Sequence, residues 1–362
     1  MVGVSRALDA KRNSLNAIRL ALALLVIVGH SWVVAGFGLL PGFGDVELGS
    51  FAVACFFAIS GYLITASRLN TRNVLSFYWR RVLRIYPAFF ASLVVVAFVL
   101  APLSSWLAGT GEYSWGDGGS YVLNDLGLMM RQFGIDGTLE SVAYPNVWNG
   151  SAWTLFYEAL CYLGIGLLVS VVPRRWLASV LVAALMVCTA VTVGVQFLGF
   201  EPHTSVTHVA RLAAFFIAGA LLYLYRQRVR LSWWGDVVAV LFVLGASAIG
   251  AFNVLAPLPI AYLMIQLGAM LPLTAIGRRN DFSYGVYIFA FPVQQVLATV
   301  FAPQSIPVAV FIALSVVGTA FFAIGSWFLI EKPALRHKDL FARVGTKKLP
   351  DVSGEAAAAP SA

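Results

Sequence analysis

Two ionisable side chains, Arg19 and His30, lie inside the first long apolar stretch of the 362-residue sequence. Ionisable groups are costly within a membrane helix, so their presence favours a functional role. Eleven residues at about 100° each bring both side chains to within roughly 20° of the same helix face. At about 1.5 Å per residue they stand roughly 16 Å apart, so they suit the two ends of one elongated ligand. The alternatives are that Arg19 reaches the inner headgroups and that His30 is interfacial or makes a helix–helix hydrogen bond.

An arginine cluster follows in the segment FYWRRVLRIYP, residues 77–87. Arg80, Arg81 and Arg84 fall within just over one helical turn, and Arg81 and Arg84 are neighbours at i, i+3. Every basic residue between the second and third predicted spans is arginine, although lysine would serve membrane topology equally well. Because guanidinium groups suit phosphate better than ammonium groups do, the cluster indicates either phosphate binding or topology alone.

A lone carboxylate, Glu158, lies in the apolar helix expected after residue 150. We expect it at a depth comparable with that of His30, where it needs a partner that His30 or Arg211 can supply. In one interpretation His30 is a general base and Glu158 orients it. In the other, the link is purely structural. Further along, the segment DFSYGVYIFAFP at 281–292 places Tyr284 and Tyr287 in the bundle interior.

The composition indicates a membrane protein, since 60% of the residues are apolar and only 11% are charged. Ten apolar stretches are long enough to cross a hydrocarbon layer of about 30 Å. They are 15–36, 50–66, 86–103, 151–172, 176–198, 206–225, 234–252, 255–276, 283–302 and 306–330.

The basic residues orient these spans, because Lys and Arg gather in cytoplasmic loops. With the amino terminus inside, all of the 24 Lys and Arg residues lie on the cytoplasmic side except Arg19, Arg131 and Arg211. We therefore predict an all-α, polytopic bundle of about ten transmembrane helices with both termini cytoplasmic. The net charge of +8 reflects this topology and attraction to membrane lipids, and does not indicate nucleic acid.

This topology divides the chain into three parts. They are a cytoplasmic segment at 1–14, a membrane domain at 15–332 with an outer loop at 104–150, and a cytoplasmic, largely disordered tail at 333–362. Short external links lie near 37–49, 199–205 and 253–257. The three cysteines show no metal-ligand spacing, and no phosphate-binding loop or nucleophile elbow is present, so we predict no metal site and no tightly bound cofactor.

The order and spacing of these motifs resemble the membrane-bound acyltransferase family 3, which O-acylates bacterial surface polysaccharides and related glycans. The resemblance covers nearly the whole chain. Besides Arg19 and His30 it rests on FFAISGYLIT at 56–65, FYWRRVLRIYP at 77–87, WNGSAWTLFYE at 148–158, SYGVY at 283–287 with Pro292, and EKP at 331–333. One position departs: many members carry a His two residues before the proline of the ninth helix, where this chain has Ala290.

The resemblance implies an acyl-CoA donor, usually acetyl-CoA from the cytosol, and a sugar hydroxyl on a glycan or lipid-linked oligosaccharide as acceptor. It implies a multi-pass protein of the bacterial inner membrane. Arg80, Arg81 and Arg84 would hold the donor phosphates, and Arg19 would hold a phosphate or pantetheine carbonyl further in.

The thioester would then reach His30, which acts as general base or acyl acceptor with Glu158 orienting it. Arg211, Trp153 and Tyr284 are the expected substrate contacts, with an oxyanion contact as the alternative role of Arg211. This arrangement needs one polar passage from the arginine cluster to His30. The rival interpretations are a transporter or lipid-linked glycan flippase that uses the buried charges as a relay, and a non-catalytic scaffold. The oligomeric state is not predicted.

Overall fold

The computed structural model describes residues 2–4 and 13–341, apart from the side chains of Val2 and Gly3. Most of the predicted cytoplasmic segment 1–14 and the end of the predicted tail 333–362 lie outside the described residues. The helices are α1 (Leu15–Val34), α2 (Leu48–Leu69), α3 (Val74–Ala108), α4 (Trp115–Asp125), α5 (Thr154–Val171), α6 (Arg174–Phe197), α7 (Thr204–Leu224), α8 (Trp233–Ala248), α9 (Phe252–Leu255), α10 (Pro257–Met270), α11 (Ser283–Val300) and α12 (Val308–Leu335).

The described part of the chain also contains two very short antiparallel strand pairs. Strands β1 (Val2–Gly3) and β4 (Arg230–Leu231) pair with Val2 opposite Leu231. Strands β2 (Gly42–Phe43) and β3 (Val46–Glu47) form a hairpin before α2, in which Gly44 has a φ of 56°. The positive φ explains the glycine at this tight turn.

The prediction of a polytopic helical bundle is confirmed. Seven helices of the described chain are long and apolar enough to cross a membrane, namely α1, α2, α3, α5, α6, α7 and α12. The other three predicted spans fall on α8, α10 and α11, which have 16, 14 and 18 residues. Helices α8 and α10 are shorter than the predicted spans 234–252 and 255–276. The chain bends through α9 between them, and α10 ends at Met270, just before Pro272.

Helix α3 begins at Val74, twelve residues before the predicted span 86–103. Asn73 caps it, since its side-chain oxygen accepts from the backbone N–H groups of Leu75 (2.9 Å) and Ser76 (3.3 Å). A π-helical turn at Val96–Leu100 then lies within the helix. The arginine cluster is therefore held on a continuous helix, so its side chains are fixed relative to one another.

Helix α2 lies at the centre of the bundle and packs against α1, α5, α7 and α10. Its closest approach is to α7, where small residues let the two backbones meet. A Cβ atom added to Gly61 would collide with the carbonyl oxygen of Phe216, and one added to Gly219 would collide with that of Ala58. The glycine of the FFAISGYLIT block thus serves helix packing.

Candidate active site

The end of the bundle that the sequence predicts to be external contains a cavity of about 240 Å³. This outer cavity is lined by His30, Glu47, Tyr144, Trp153, Arg211 and Asn253, among others. Residues of the links near 37–49 and 253–257 and of the loop 104–150 line it, and the sequence predicts all three segments to be outside the membrane. The segments predicted to be external therefore meet at one end of the bundle.

His30 presents its imidazole to the outer cavity from α1. Its ring packs edge-on against Phe291 of α11, with 5.1 Å between the ring centroids. Its Nδ1 atom is buried and has no hydrogen-bond partner among the residues that the structure describes. The Nε2 atom lies towards Gly49, where an added Cβ would come to 3.8 Å from it. The imidazole thus has no protein hydrogen-bond partner in this part of the chain.

Two of the predicted substrate contacts, Trp153 and Arg211, line the same outer cavity as His30. The Trp153 ring packs on His208 of α7, with 4.5 Å between the centroids. His208 lies one helical turn before Arg211 and was not among the predicted site residues. Its spacing of three residues from Arg211 is the signal in the sequence that could have identified it.

A second, smaller cavity of about 40 Å³ lies deeper in the bundle. This inner cavity is lined by Arg19, Phe56, Phe57, Leu155, Glu158 and Tyr284, among others. Tyr284, the third predicted substrate contact, donates a hydrogen bond from its hydroxyl to the carbonyl oxygen of Ile85 at 2.8 Å. The structure thus separates Tyr284 from Trp153 and Arg211, and brings it close to Arg19.

Glu158 lies on the inner cavity, and the expected hydrogen bond between Glu158 and His30 is absent. Instead its Oε1 atom accepts from the hydroxyls of Ser60 (3.1 Å) and Tyr162 (2.5 Å). The position of Glu158 follows from the segment that precedes α5. Gly150, Ser151 and Trp153 line the outer cavity before the helix begins at Thr154. Because this irregular segment already reaches into the bundle, a residue one turn further along lies deeper than His30.

The two cavities share a wall formed by Val53 of α2, Thr154 of α5 and Tyr287 of α11. The hydroxyls of Thr154 and Tyr287 are 2.6 Å apart, and they lie 3.1 Å and 3.0 Å from the carbonyl oxygen of Ser151. The expected single passage is therefore divided into two adjoining cavities in this structure. We call these three residues the wall.

Arg19 and Arg84 meet at one carboxylate, that of Asp281. The Oδ2 atom of Asp281 lies 3.0 Å from Arg19 and 2.5 Å from Arg84. Its Oδ1 atom accepts from the backbone N–H (3.2 Å) and the hydroxyl (2.6 Å) of Ser283, at the start of α11. Arg84 also lies 3.9 Å from Glu331 of α12, which is 2% exposed.

The network holds Asp281 in its charged form. Burial raises the pKa of this carboxyl, but the guanidinium groups of Arg84 and Arg19 and the hydrogen bonds from Ser283 outweigh burial, so the pKa lies well below its usual range. Neither Asp281 nor Glu331 was a predicted site residue. Both occur in motifs quoted from the sequence, but nothing in their spacing shows that they meet Arg84.

The other two arginines of the cluster face different surroundings. Arg80 lies 2.8 Å from Asp339, in a pair whose side chains are 34% and 57% exposed. Arg81 packs over the Phe77 ring at 5.9 Å, and its Nε atom is buried without a hydrogen-bond partner in the described part of the chain. Only Arg84 therefore shares a carboxylate with Arg19.

The ninth predicted span, α11, has Ala290 at the position where many family members have a histidine. It supplies aromatic side chains to the outer cavity instead. Ala290 is fully buried, while Tyr287 and Phe291 line the cavity. Among residues 2–4 and 13–341, no group of three His, Cys, Asp or Glu side chains could hold a metal ion.

The chain matches the acyltransferase domain family over residues 12–331. It is 28% identical over 338 residues to an O-acetyl transferase of Shigella phage Sf6, covering 89% of this chain and 96% of that protein. It is also 28% identical over 356 residues to nodulation protein 10 of Rhizobium leguminosarum bv. viciae, covering 90% of this chain and 94% of that protein. No solved structure matches the chain significantly.

The fold and the two cavities define a multi-pass membrane protein with a polar site between its helices. The chain belongs to the acyltransferase 3 family, as the sequence motifs implied. It is a membrane acyltransferase, and the family assignment favours an enzyme over the transporter or flippase that the buried charges left open.

Proposed function

We propose that this protein transfers an acyl group, most simply acetyl, from cytosolic acyl-CoA to a hydroxyl of a glycan or lipid-linked oligosaccharide at the outer face of the bacterial inner membrane. The observation that carries the proposal is the unpartnered imidazole of His30 in the outer cavity, separated only by the wall from a cavity that contains Arg19. The name of the phage relative, an O-acetyl transferase, supports acetyl as the transferred group.

The donor side is proposed at the end of the bundle where Arg19 and Arg84 meet. Fixed guanidinium groups bind phosphate through charge-assisted hydrogen bonds. Asp281 holds Arg19 and Arg84 together through one carboxylate oxygen, so it is a positioning residue for the two groups that face the donor. Arg80 and Arg81 are both helical neighbours of Arg84, but Arg80 is more exposed and is paired with Asp339, so it is the least suited of the cluster.

In the proposed reaction, the acceptor hydroxyl oxygen attacks the carbonyl carbon of the thioester. His30 takes the hydroxyl proton, the carbon–sulfur bond breaks, and His30 returns the proton to the thiolate, leaving an ester and free CoA thiol. An unpartnered imidazole suits this role, because one ring nitrogen can accept the proton and later release it. Glu158 is too deep to orient the imidazole and is proposed instead to face the pantetheine arm in the inner cavity.

The acyl group must cross the wall to meet the acceptor. An inner cavity of about 40 Å³ has room for a few water molecules but not for a pantetheine arm, so the path must widen when donor binds. We propose that the hydrogen bond between Thr154 and Tyr287 closes the path in the resting enzyme. A closed wall keeps water of the outer cavity away from the thioester until both substrates are in place.

Purified protein in nanodiscs tests the proposal with acetyl-CoA labelled in the acetyl group. Label should pass to glycan isolated from the bacterial cell envelope, and the free thiol of CoA should appear in equal amount. His30→Ala should abolish both while Arg81→Ala with Arg84→Ala weakens donor binding. If wild-type protein neither transfers nor hydrolyses acetyl from acetyl-CoA, the proposed function is wrong.

A further inference from the structure

Arg211 is a charged side chain without an ion-pair partner among the residues that the structure describes. It lies on α7 seven residues after the first residue, Thr204, which is about 10 Å along the helix. No hydrogen bond, ion pair or ring contact to it occurs among the residues that the structure describes, although it lines the outer cavity. A guanidinium at this depth without a direct partner is costly, so an anionic ligand that pairs with it would be favoured.

The acidic groups of the site do not pair with Arg211, and only Glu47 attracts it from a distance. Glu158 is engaged by Ser60 and Tyr162 in the inner cavity, and Asp281 by Arg19 and Arg84. Glu47 lines the outer cavity, but it is exposed at the rim and forms no ion pair within 4.0 Å. Within the described residues, the outer cavity therefore contains His30 and a guanidinium that forms no hydrogen bond or ion pair.

The rest of the outer cavity suits a sugar. Aromatic rings of Tyr144, Trp153 and Phe291 line it, and such rings pack against the apolar faces of sugar rings. Ser151 and Asn253 add polar groups able to meet sugar hydroxyls. A cavity of about 240 Å³ next to His30 has room for a sugar residue with its hydroxyl near the imidazole.

We propose that the acceptor is an anionic glycan, in which a carboxylate or phosphate close to the reacting hydroxyl binds Arg211. This inference rests on the proposed function and adds the chemical class of the acceptor. The anion neutralises Arg211, and the two parallel hydrogen bonds from the guanidinium group orient the sugar so that one hydroxyl faces His30. Neutral glycans of the same size lack this contact and bind more weakly.

Matched glycosides test the inference in nanodiscs. Octyl β-D-glucuronide and octyl β-D-glucoside differ only in a carboxylate at C6, and octyl α-D-glucopyranosyl phosphate places the anion at the lipid linkage instead. Titration calorimetry should give a dissociation constant about 10- to 100-fold lower for one of the two anionic probes than for the glucoside, since a charge-assisted contact is gained. Tighter binding of the glucuronide identifies a sugar carboxylate as the source of the charge, and tighter binding of the glucosyl phosphate identifies a linkage phosphate.

Variants then assign the preference to Arg211. Arg211→Gln should bind all three probes equally, while Arg131→Gln, which removes an exposed arginine of the outer loop, should keep the wild-type ratio. Glu47→Gln should strengthen anionic binding, because it removes a nearby negative charge. Removing an unpaired charge should not lower thermal stability, and Arg211→Met provides a second neutral variant if the glutamine protein does not fold.

Two results overturn the inference: equal affinity of wild type for all three probes, or an anion preference that survives in Arg211→Gln. Acetyl-CoA turnover on envelope glycan is measured in the same preparations. If that turnover depends on His30 but the anion preference is absent, only the inference fails. If acetyl-CoA is not turned over at all, the proposed function fails.

Discussion

Replacing Asp281 by Asn tests the ion-pair network that holds the donor end of the site. Asn keeps an oxygen able to accept from Ser283 at the start of α11, so the change removes the charge and leaves both of these hydrogen bonds possible. Arg19 and Arg84, whose side chains are 21% and 18% exposed, would lose the carboxylate that they share. Removing one partner of a buried pair costs about 3–5 kcal/mol. Since these side chains keep some exposure, we expect a loss of about 3 kcal/mol, at the lower end of that range.

Reversible unfolding in mixed SDS micelles, followed by circular dichroism, measures the change. Asp339→Asn is the matched control, because it removes a carboxylate from an arginine pair that is 34% and 57% exposed. Exposed pairs contribute below about 1 kcal/mol, so the control should be nearly neutral. Equal effects of the two substitutions would refute the reasoning that Asp281 compensates two partly buried guanidinium groups.

The same carboxylate predicts a pH dependence. Because the folded-state pKa of Asp281 lies below the unfolded value of about 3.9, its contribution is fully present above that value and is lost as the pH falls through the folded pKa. The stability difference between wild type and Asp281→Asn should therefore stay constant from about pH 5 to pH 8 and shrink below about pH 4. A difference that shrank between pH 5 and pH 8 would contradict this assignment.

Three further predictions follow from the packing and the wall. Gly61→Ala should destabilise the protein by about 2 kcal/mol in the SDS assay, because its Cβ would collide with the backbone of α7, and an unchanged midpoint would contradict that close approach. Arg84→Gln should weaken acyl-CoA binding at least about tenfold more than Arg80→Gln, measured by titration calorimetry, since only Arg84 shares a carboxylate with Arg19. Tyr287→Phe should raise acetyl-CoA hydrolysis in the absence of acceptor, because the wall loses its hydrogen bonds, whereas Tyr121→Phe in the outer loop should not. Equal hydrolysis by the two Phe variants would count against the wall as a water barrier.

Local sequence patterns are sufficient to predict the helices and the positions of some of the site residues. Hydropathy placed every predicted span on a helix, since a backbone in lipid must satisfy its hydrogen bonds within the segment. Arg19 and His30 share one helix, so their spacing alone fixed their relative height. The interior location of Trp153 and Arg211 was also predictable from their positions near the outer ends of apolar helices.

The partners of these residues depend on contacts between distant segments, which helix periodicity does not specify. Asp281 is separated from Arg19 by 262 residues and from Arg84 by 197, and only the packing of α1, α3 and α11 brings them together. Helix periodicity alone predicts Glu158 at the depth of His30, because it does not show that the preceding segment enters the bundle without helical structure. The wall likewise depends on how α2, α5 and α11 meet, so no motif could reveal that the passage is divided.

The most direct measurement of the central claim is acetyl transfer by purified protein that differs only at His30. With labelled acetyl-CoA and envelope glycan in nanodiscs, we expect His30→Gln to transfer at least about 100-fold more slowly than wild type, the usual contribution of a general base. Binding of CoA, measured on the same preparation, should be unchanged because His30 lies in the outer cavity beyond the wall. Transfer by His30→Gln at the wild-type rate would contradict the account.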